Sequence, residues 1–184
     1  MAGIPAEAQA VLDFWFGETE PEKWFKKDDT FDETVRARFA DLYARAAAGG
    51  CDGWAETPQG CLALIVLLDQ FPRNMFRGEA RCFATDAAAC AVTKLALERG
   101  LDAKLSVREK QFLYMPLQHS EDAADQALSV ERYGATGSAD LLKWAEAHRS
   151  IVDRFGRFPH RNEILGRETT PEEAAFLQEP GSSF

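Results

Sequence analysis

The apolar and polar positions of the chain repeat with a helical period almost throughout. Ile4, Ala8, Val11, Leu12 and Trp15 fall on one stripe, with Pro5 suited to a first turn and Gly17 just past the end. A charged and aromatic stretch over 18–29, carrying Trp24 and Phe25, leads to a second stripe of Val35, Phe39, Leu42, Tyr43 and Ala46, stopped by Gly49 and Gly50. Thr57 and Pro58 form an N-cap and N1 pair opening a helix through Leu68 that is apolar almost all round and therefore central. A further helix is predicted from about Thr85 to Gly100. The next starts at a Ser106–Glu109 capping box, and Pro116, which has no N–H for the carbonyl of Phe112, predicts a kink or an end. Ser120 then opens a helix to about Tyr133, with Gly134 beyond it. Ser138 caps one with the stripe Leu141, Ala145, His148, Val152 and Phe155, ended by Gly156. Thr170, Pro171 and Glu173 open a last short helix.

No stretch alternates with the two-residue period of a strand, so the predicted fold class is all-α. Helix pairs stacked into an α-solenoid or an irregular bundle are the natural architecture. A length of 184 residues fits one domain spanning 1–184.

Composition adds constraints. The net charge of −9 disfavours general nucleic-acid binding and adsorption to anionic lipid. The longest apolar run, Cys61 to Leu68, is far short of the roughly 20 residues of a membrane span. Met1 to Phe16 carries no Lys or Arg and so lacks the positive flank of a signal peptide, which makes the cytoplasm the expected location. Cys51, Cys61, Cys82 and Cys90 form no C-x-x-C pair and read as reduced thiols, with no structural metal.

Basic charge gathers at two places that echo one another, Phe71-Pro72-Arg73-Asn74 and Phe158-Pro159-His160-Arg161-Asn162. Each reads as a helix end, because a residue before Pro is steered away from helix and Asn tolerates a left-handed turn. Between Arg149 and Arg167 five arginines face two acids, Asp153 and Glu163, and between Arg73 and Arg81 three face Glu79. Pairing with the chain's own carboxylates explains such arginines as scaffolding, with Arg73 the nearest cation to Asp69. A surplus instead offers guanidinium forks to an external carboxylate or phosphate.

Walker, G-x-G-x-x-G, G-x-S-x-G and H-E-x-x-H motifs are absent, and no Glu stands three residues before a His, so no cofactor and no metal are expected. Of the three histidines, His148 lies on the apolar stripe of its helix and reads as a satisfied core residue. His119 and His160 would support general acid–base chemistry if folding brought them to Asp69 or Glu121.

Three segments carry a resemblance: L-L-D-Q-F-P-R-N-M-F-R-G at 67–78, F-L-Y-M-P-L-Q-H-S-E at 112–121 and R-F-G-R-F-P-H-R-N-E-I-L-G-R at 154–167. With D-F-W-F-G at 13–17 and Trp24-Phe25, they resemble the bacterial family numbered 924 among domains of unknown function. That resemblance implies a TPR-like α-α superhelix and no particular activity, although the TPR consensus W-x-x-L-G-x-x-Y is absent.

Three readings follow. The first is a binding protein for an anionic small molecule or peptide carboxylate, with Arg73, Arg157 and Arg161 supplying charge, Asn74 and Asn162 orienting it, and Lys110, His119 and His160 completing the site. The second is an enzyme using His119 or His160 with Asp69 or Glu121. The third is a structural or oligomeric scaffold in which the motifs staple the fold.

Overall fold

The computed structural model describes residues 3–183, and among these there is no strand. The chain divides into two compact units, one reaching to Arg77 and resuming over Arg81–Pro116, the other formed by Gly78–Ala80 and the chain from Leu117.

In the first unit α1 (Ala6–Leu12) runs directly into wider π-type turns over Asp13–Glu18, so Gly17 lies inside this element and not beyond it. The widening puts consecutive aromatics on the core side. Phe14 and Trp15 are buried, and Trp15 meets Phe71 and Phe112 edge-on, each at 5.7 Å between centroids. The Trp24 indole N–H donates to the Trp15 carbonyl at 3.0 Å, which ties the 18–29 stretch to the same core. Helix α2 (Asp29–Ala47) is capped by Asp28, whose carboxylate accepts from the N–H groups of Thr30 and Phe31, and Gly49 ends it at φ +83°.

Thr57 caps α3 (Pro58–Ile65) as expected, and every side chain from Cys61 to Leu67 is essentially inaccessible. The helix does not stop at Phe71-Pro72. A π-type turn over Val66–Gln70 inserts one extra residue, and α4 (Phe71–Met75) continues with Pro72 in its first turn, where a missing N–H is tolerated. The first of the two echoed motifs is therefore a helix continuation. The capping box of Ser106 and Glu109 opens α6 (Val107–His119), after α5 (Asp86–Glu98). This helix passes through Pro116 without ending, and one residue beyond the Phe112 carbonyl the Leu113 carbonyl accepts from the Thr93 hydroxyl at 2.8 Å.

In the second unit α7 (Ala123–Ala135) is capped by Asp122 rather than Ser120, whose hydroxyl instead donates to Asp125; Gly134 lies within the helix. A three-residue turn joins it to α8 (Ala139–Phe155), and the two pack along each other, the arrangement a short link imposes. Gly156 at φ +68° ends α8, so the second echoed motif does follow a helix stop and forms a short 3-10 turn, Pro159–Arg161. Ile151, Val152 and Phe158 form the core here, with Phe155 and Phe176 against it. The last helix is α9 (Pro171–Phe176).

Candidate functional site

Arg73 and Arg77 of the first unit are bonded to acids of that unit. Arg73 donates both terminal nitrogens to Asp86, at 2.8 and 2.9 Å, and lies 3.3 Å from Asp69, which is fully buried. Burial opposes the Arg73 charge, but the fields of Asp69 and Asp86 overcome it and raise its pKa. Asn74 donates to Asp32 at 2.8 Å, and Arg77 forks onto the same carboxylate at 2.7 and 3.0 Å. Lys110 stands half-buried near the start of α6. A shallow open depression on α2, lined by Asp29, Thr30, Glu33, Thr34, Ala37 and Arg38, contains none of the residues singled out from sequence.

The second unit carries two further clasps. Arg157 forks onto Glu173 at 2.6 and 2.9 Å and reaches the Glu168 carbonyl, while Asn162 donates to Glu173 at 3.2 Å. Glu173 is thus a capping-box residue and an ion-pair partner at once; Arg157, with the Thr170 N–H and Asn162, holds its pKa down to about 2. Arg167 forks onto Glu121 at 2.7 and 3.0 Å, and the Phe158 N–H donates to Glu121 at 2.8 Å. Burial pulls the Glu121 pKa up, but these donors prevail and it ends below its ordinary value, leaving an ionised clamp across the 158–167 loop.

Arg161 is placed differently. It is buried, donates to the neutral carbonyl of His119 at 3.0 Å, and lies with its guanidinium carbon 4.7 Å over the Phe158 ring. Around it stand all three histidines of the sequence. His119 and His148 have ring centroids 6.4 Å apart, His148 meets Phe158 edge-on at 5.8 Å, and His160 lies 5.7 Å from the same ring. Burial first, then the Arg161 charge, lowers the His160 pKa to about 4. Burial likewise lowers that of His148 to about 3, with His119, Arg161 and His160 adding to the effect. Both rings are neutral at pH 7.

His148 meets two polar neighbours through one ring nitrogen. Nδ1 lies 2.8 Å from the Trp144 carbonyl and 3.0 Å from the Gln118 amide. With its hydrogen on Nδ1 the ring donates to the Trp144 carbonyl, and with its lone pair there it accepts from the Gln118 Nε2 amide nitrogen. Gln126, fully buried on α7, donates to the carbonyls of Gln118 and Ser120 at 2.8 and 2.7 Å and so secures the end of α6 that carries His119.

Folding therefore brings His119, His160 and Arg161 together within the second unit, adds His148 and Gln118, and holds Glu121 at the edge through Arg167. Asp69, Arg73, Asn74 and Lys110 belong to the first unit. Sequence reasoning placed Gln118 within the 112–121 motif without a partner and did not single out Gln126, since a lone Gln on a helix has no periodic signature. Nor did it identify Asp32, Asp86 and Glu173 as the partners of the forks, because each lies far along the chain from its arginine.

The family model described as bacterial protein of unknown function (DUF924) matches residues 11–181. The chain belongs to this family. No curated protein matches it. A solved structure of a protein of unknown function, ATU0120 from Agrobacterium tumefaciens, is 46% identical and superposes with a TM-score of 0.90, covering 94% of this chain and 97% of its own. The DUF924 match spans both the Asp69–Arg73–Asp86 clasp and the Arg161–histidine cluster.

Proposed function

We propose that this DUF924 protein is a cytosolic binding protein for a small anion, taken up at Arg161 with His119 and His160. One observation carries the reading: Arg161 and His160 stand on one short turn, and Arg161 donates to the His119 carbonyl at 3.0 Å, so a guanidinium and two imidazoles are gathered in one place. Arg157 and Arg167 of the same unit pair with Glu173 and Glu121 and serve as scaffolding around it. A guanidinium beside half-buried imidazoles provides planar and in-line donors suited to a carboxylate or phosphate. The packed α7–α8 pair is in keeping with a TPR-like stacking of helices as the scaffold, and four free, buried cysteines are in keeping with a reducing compartment.

Thermal shift with sulfate, phosphate, chloride and short mono- and dicarboxylates tests this. A ligand at 100 times its Kd stabilises by about 2.7 kcal/mol, a readable rise in Tm. The stabilisation should vanish in Arg161→Gln measured against that variant's own baseline and persist in Arg36→Gln, a surface change. No shift with any anion, or a shift indifferent to Arg161→Gln, would overturn the reading.

A further inference from the structure

Phe25, in the first unit, is the most exposed large apolar side chain among the described residues, 64% open to solvent. Its ring is nonetheless held in place. It lies parallel to that of Phe112, with 4° between the planes and 6.3 Å between centroids, and meets Trp24 edge-on at 6.4 Å. Trp24 packs edge-on against Phe112 at 4.8 Å and is itself fixed by its indole bond to the Trp15 carbonyl. Phe16 joins both, at 6.0 Å from Trp24 and 5.4 Å from Phe112. Four rings thus form one connected set anchored in the core, and Phe25 is its open member. An aromatic already ordered in this way loses little freedom when a partner covers it.

Cations stand around the same rings. Arg108, exposed on the first turn of α6, places its guanidinium carbon 4.7 Å over the Trp24 ring and 5.7 Å over that of Phe16. Residues 23–27, which carry Phe25, include Lys23, Lys26 and Lys27 and no acid. Most acids close by in sequence are engaged by the protein itself: Glu18 with Arg38, Asp28 in the α2 cap, Asp29 with Lys27 and Glu109 in the Ser106 cap. Glu20 and Glu22 precede the patch, exposed around the short turn Pro21–Lys23. In a chain of net charge −9, an open aromatic beside lysines and an arginine is a local exception.

Charge selects among the occupants. A second copy docked about a two-fold axis would set these cations against their own duplicates. A lipid surface or a nucleic acid is large enough to meet the −9 of the whole chain and be repelled by it. A short acidic segment meets chiefly the groups within about 8 Å, the screening length at physiological salt.

We propose that this aromatic and cationic patch of the first unit is a docking surface for an acidic peptide segment of a partner protein, one that carries an aromatic or leucine side chain among Asp and Glu. The apolar side chain packs on Phe25, and the carboxylates meet Lys23, Lys26 and Arg108. The surface needs nothing from Arg161, so it stands or falls apart from the anion site.

The probe is a fluorescein-labelled octapeptide of Asp and Glu with a Phe-Leu pair at its centre, titrated with the full chain and read by anisotropy. It should bind saturably with a Kd below about 1 mM, and the Kd should weaken about fivefold or more when salt is raised from about 0.05 M to about 0.5 M. Phe25→Ser should weaken binding about tenfold, and Lys26→Glu about threefold. Both positions are exposed, so the variants should keep the wild-type Tm. Trp144→Ser, which removes an exposed ring from α8 of the second unit, should leave the Kd unchanged. Absence of saturable binding, a Kd indifferent to both Phe25→Ser and Lys26→Glu, or equally tight binding of a peptide with Ser-Ser at its centre overturns the proposal. A loss confined to Arg161→Gln assigns the peptide to the anion site and overturns this surface alone. Binding of phosphatidylserine vesicles or of a thymidine oligonucleotide through Phe25 without binding of the peptide, or a dimer in sedimentation that Phe25→Ser dissolves, overturns it in favour of those occupants.

Discussion

The Thr85 hydroxyl donates to the backbone carbonyl of Leu68 at 2.5 Å, the acceptor four residues before Pro72. Pro72 has no N–H to offer that carbonyl, and both Thr85 and Leu68 are buried from water. A side chain from the start of α5 therefore lets the central helix continue past its proline. Thr85→Val keeps the shape and deletes the donor, and should lower stability by about 1–2 kcal/mol, read as a lower urea midpoint at unchanged m-value. Thr85→Ser should recover most of the loss.

Arg73 anchors the next turn of the same helix by holding Asp69 and Asp86 together. Asp69 is fully buried, so removing the guanidinium strands a carboxylate in the core. Arg73→Ala should cost about 3–5 kcal/mol in equilibrium unfolding. Arg73→Lys should restore only part of it, since one ammonium cannot repeat the two-bond fork to Asp86.

Gly60 has a purely steric role in the first turn of α3. A Cβ built there would lie 1.8 Å from the Trp54 carbonyl oxygen and 2.9 Å from the Thr57 hydroxyl that caps the helix. The nearest atom is backbone, so the strain cannot be relieved by a rotamer change. Gly60→Ala should destabilise by about 3 kcal/mol or more, and calorimetry should show a Tm lower by well over 5 °C.

These positions show how far the sequence could be read. Caps were legible because their chemistry is local: Thr57, Ser138, the Ser106–Glu109 box and the Thr170–Glu173 box all form. Pro72 misled because its cost is met from elsewhere in the fold, by a widened turn and Thr85, and at Pro116 α6 does not end. The twin Phe-Pro motifs look alike in sequence yet occur in a continuing helix and after a glycine stop, a difference set by the residues preceding them. The cluster around Arg161 was half legible. His119, His160 and Arg161 were marked by type and charge, whereas their meeting with His148 depends on how α6 ends against α8.

Because His148 and His160 are neutral in the fold and titrate near 6.5 when unfolded, the unfolded chain binds more protons below that pH. Stability should therefore fall as pH drops from 6.5, by about 1.4 kcal/mol per pH unit for each ring, until about pH 4 for His160 and about pH 3 for His148. Glu173 acts over a lower window. Its carboxylate is held down to about 2 by Arg157, so its contribution is complete above about pH 4.5 and is lost as pH falls from there toward 2. The interval from 6.5 to 4.5 thus isolates the imidazoles. Urea midpoints measured across it should decline steadily in the wild type and with roughly half the slope in His148→Gln, which removes one of the two excluded protons. A midpoint that stays level over this interval would mean that both rings are solvated and free to charge in the folded protein, and the cluster around Arg161 would then be an open surface feature instead of a buried one.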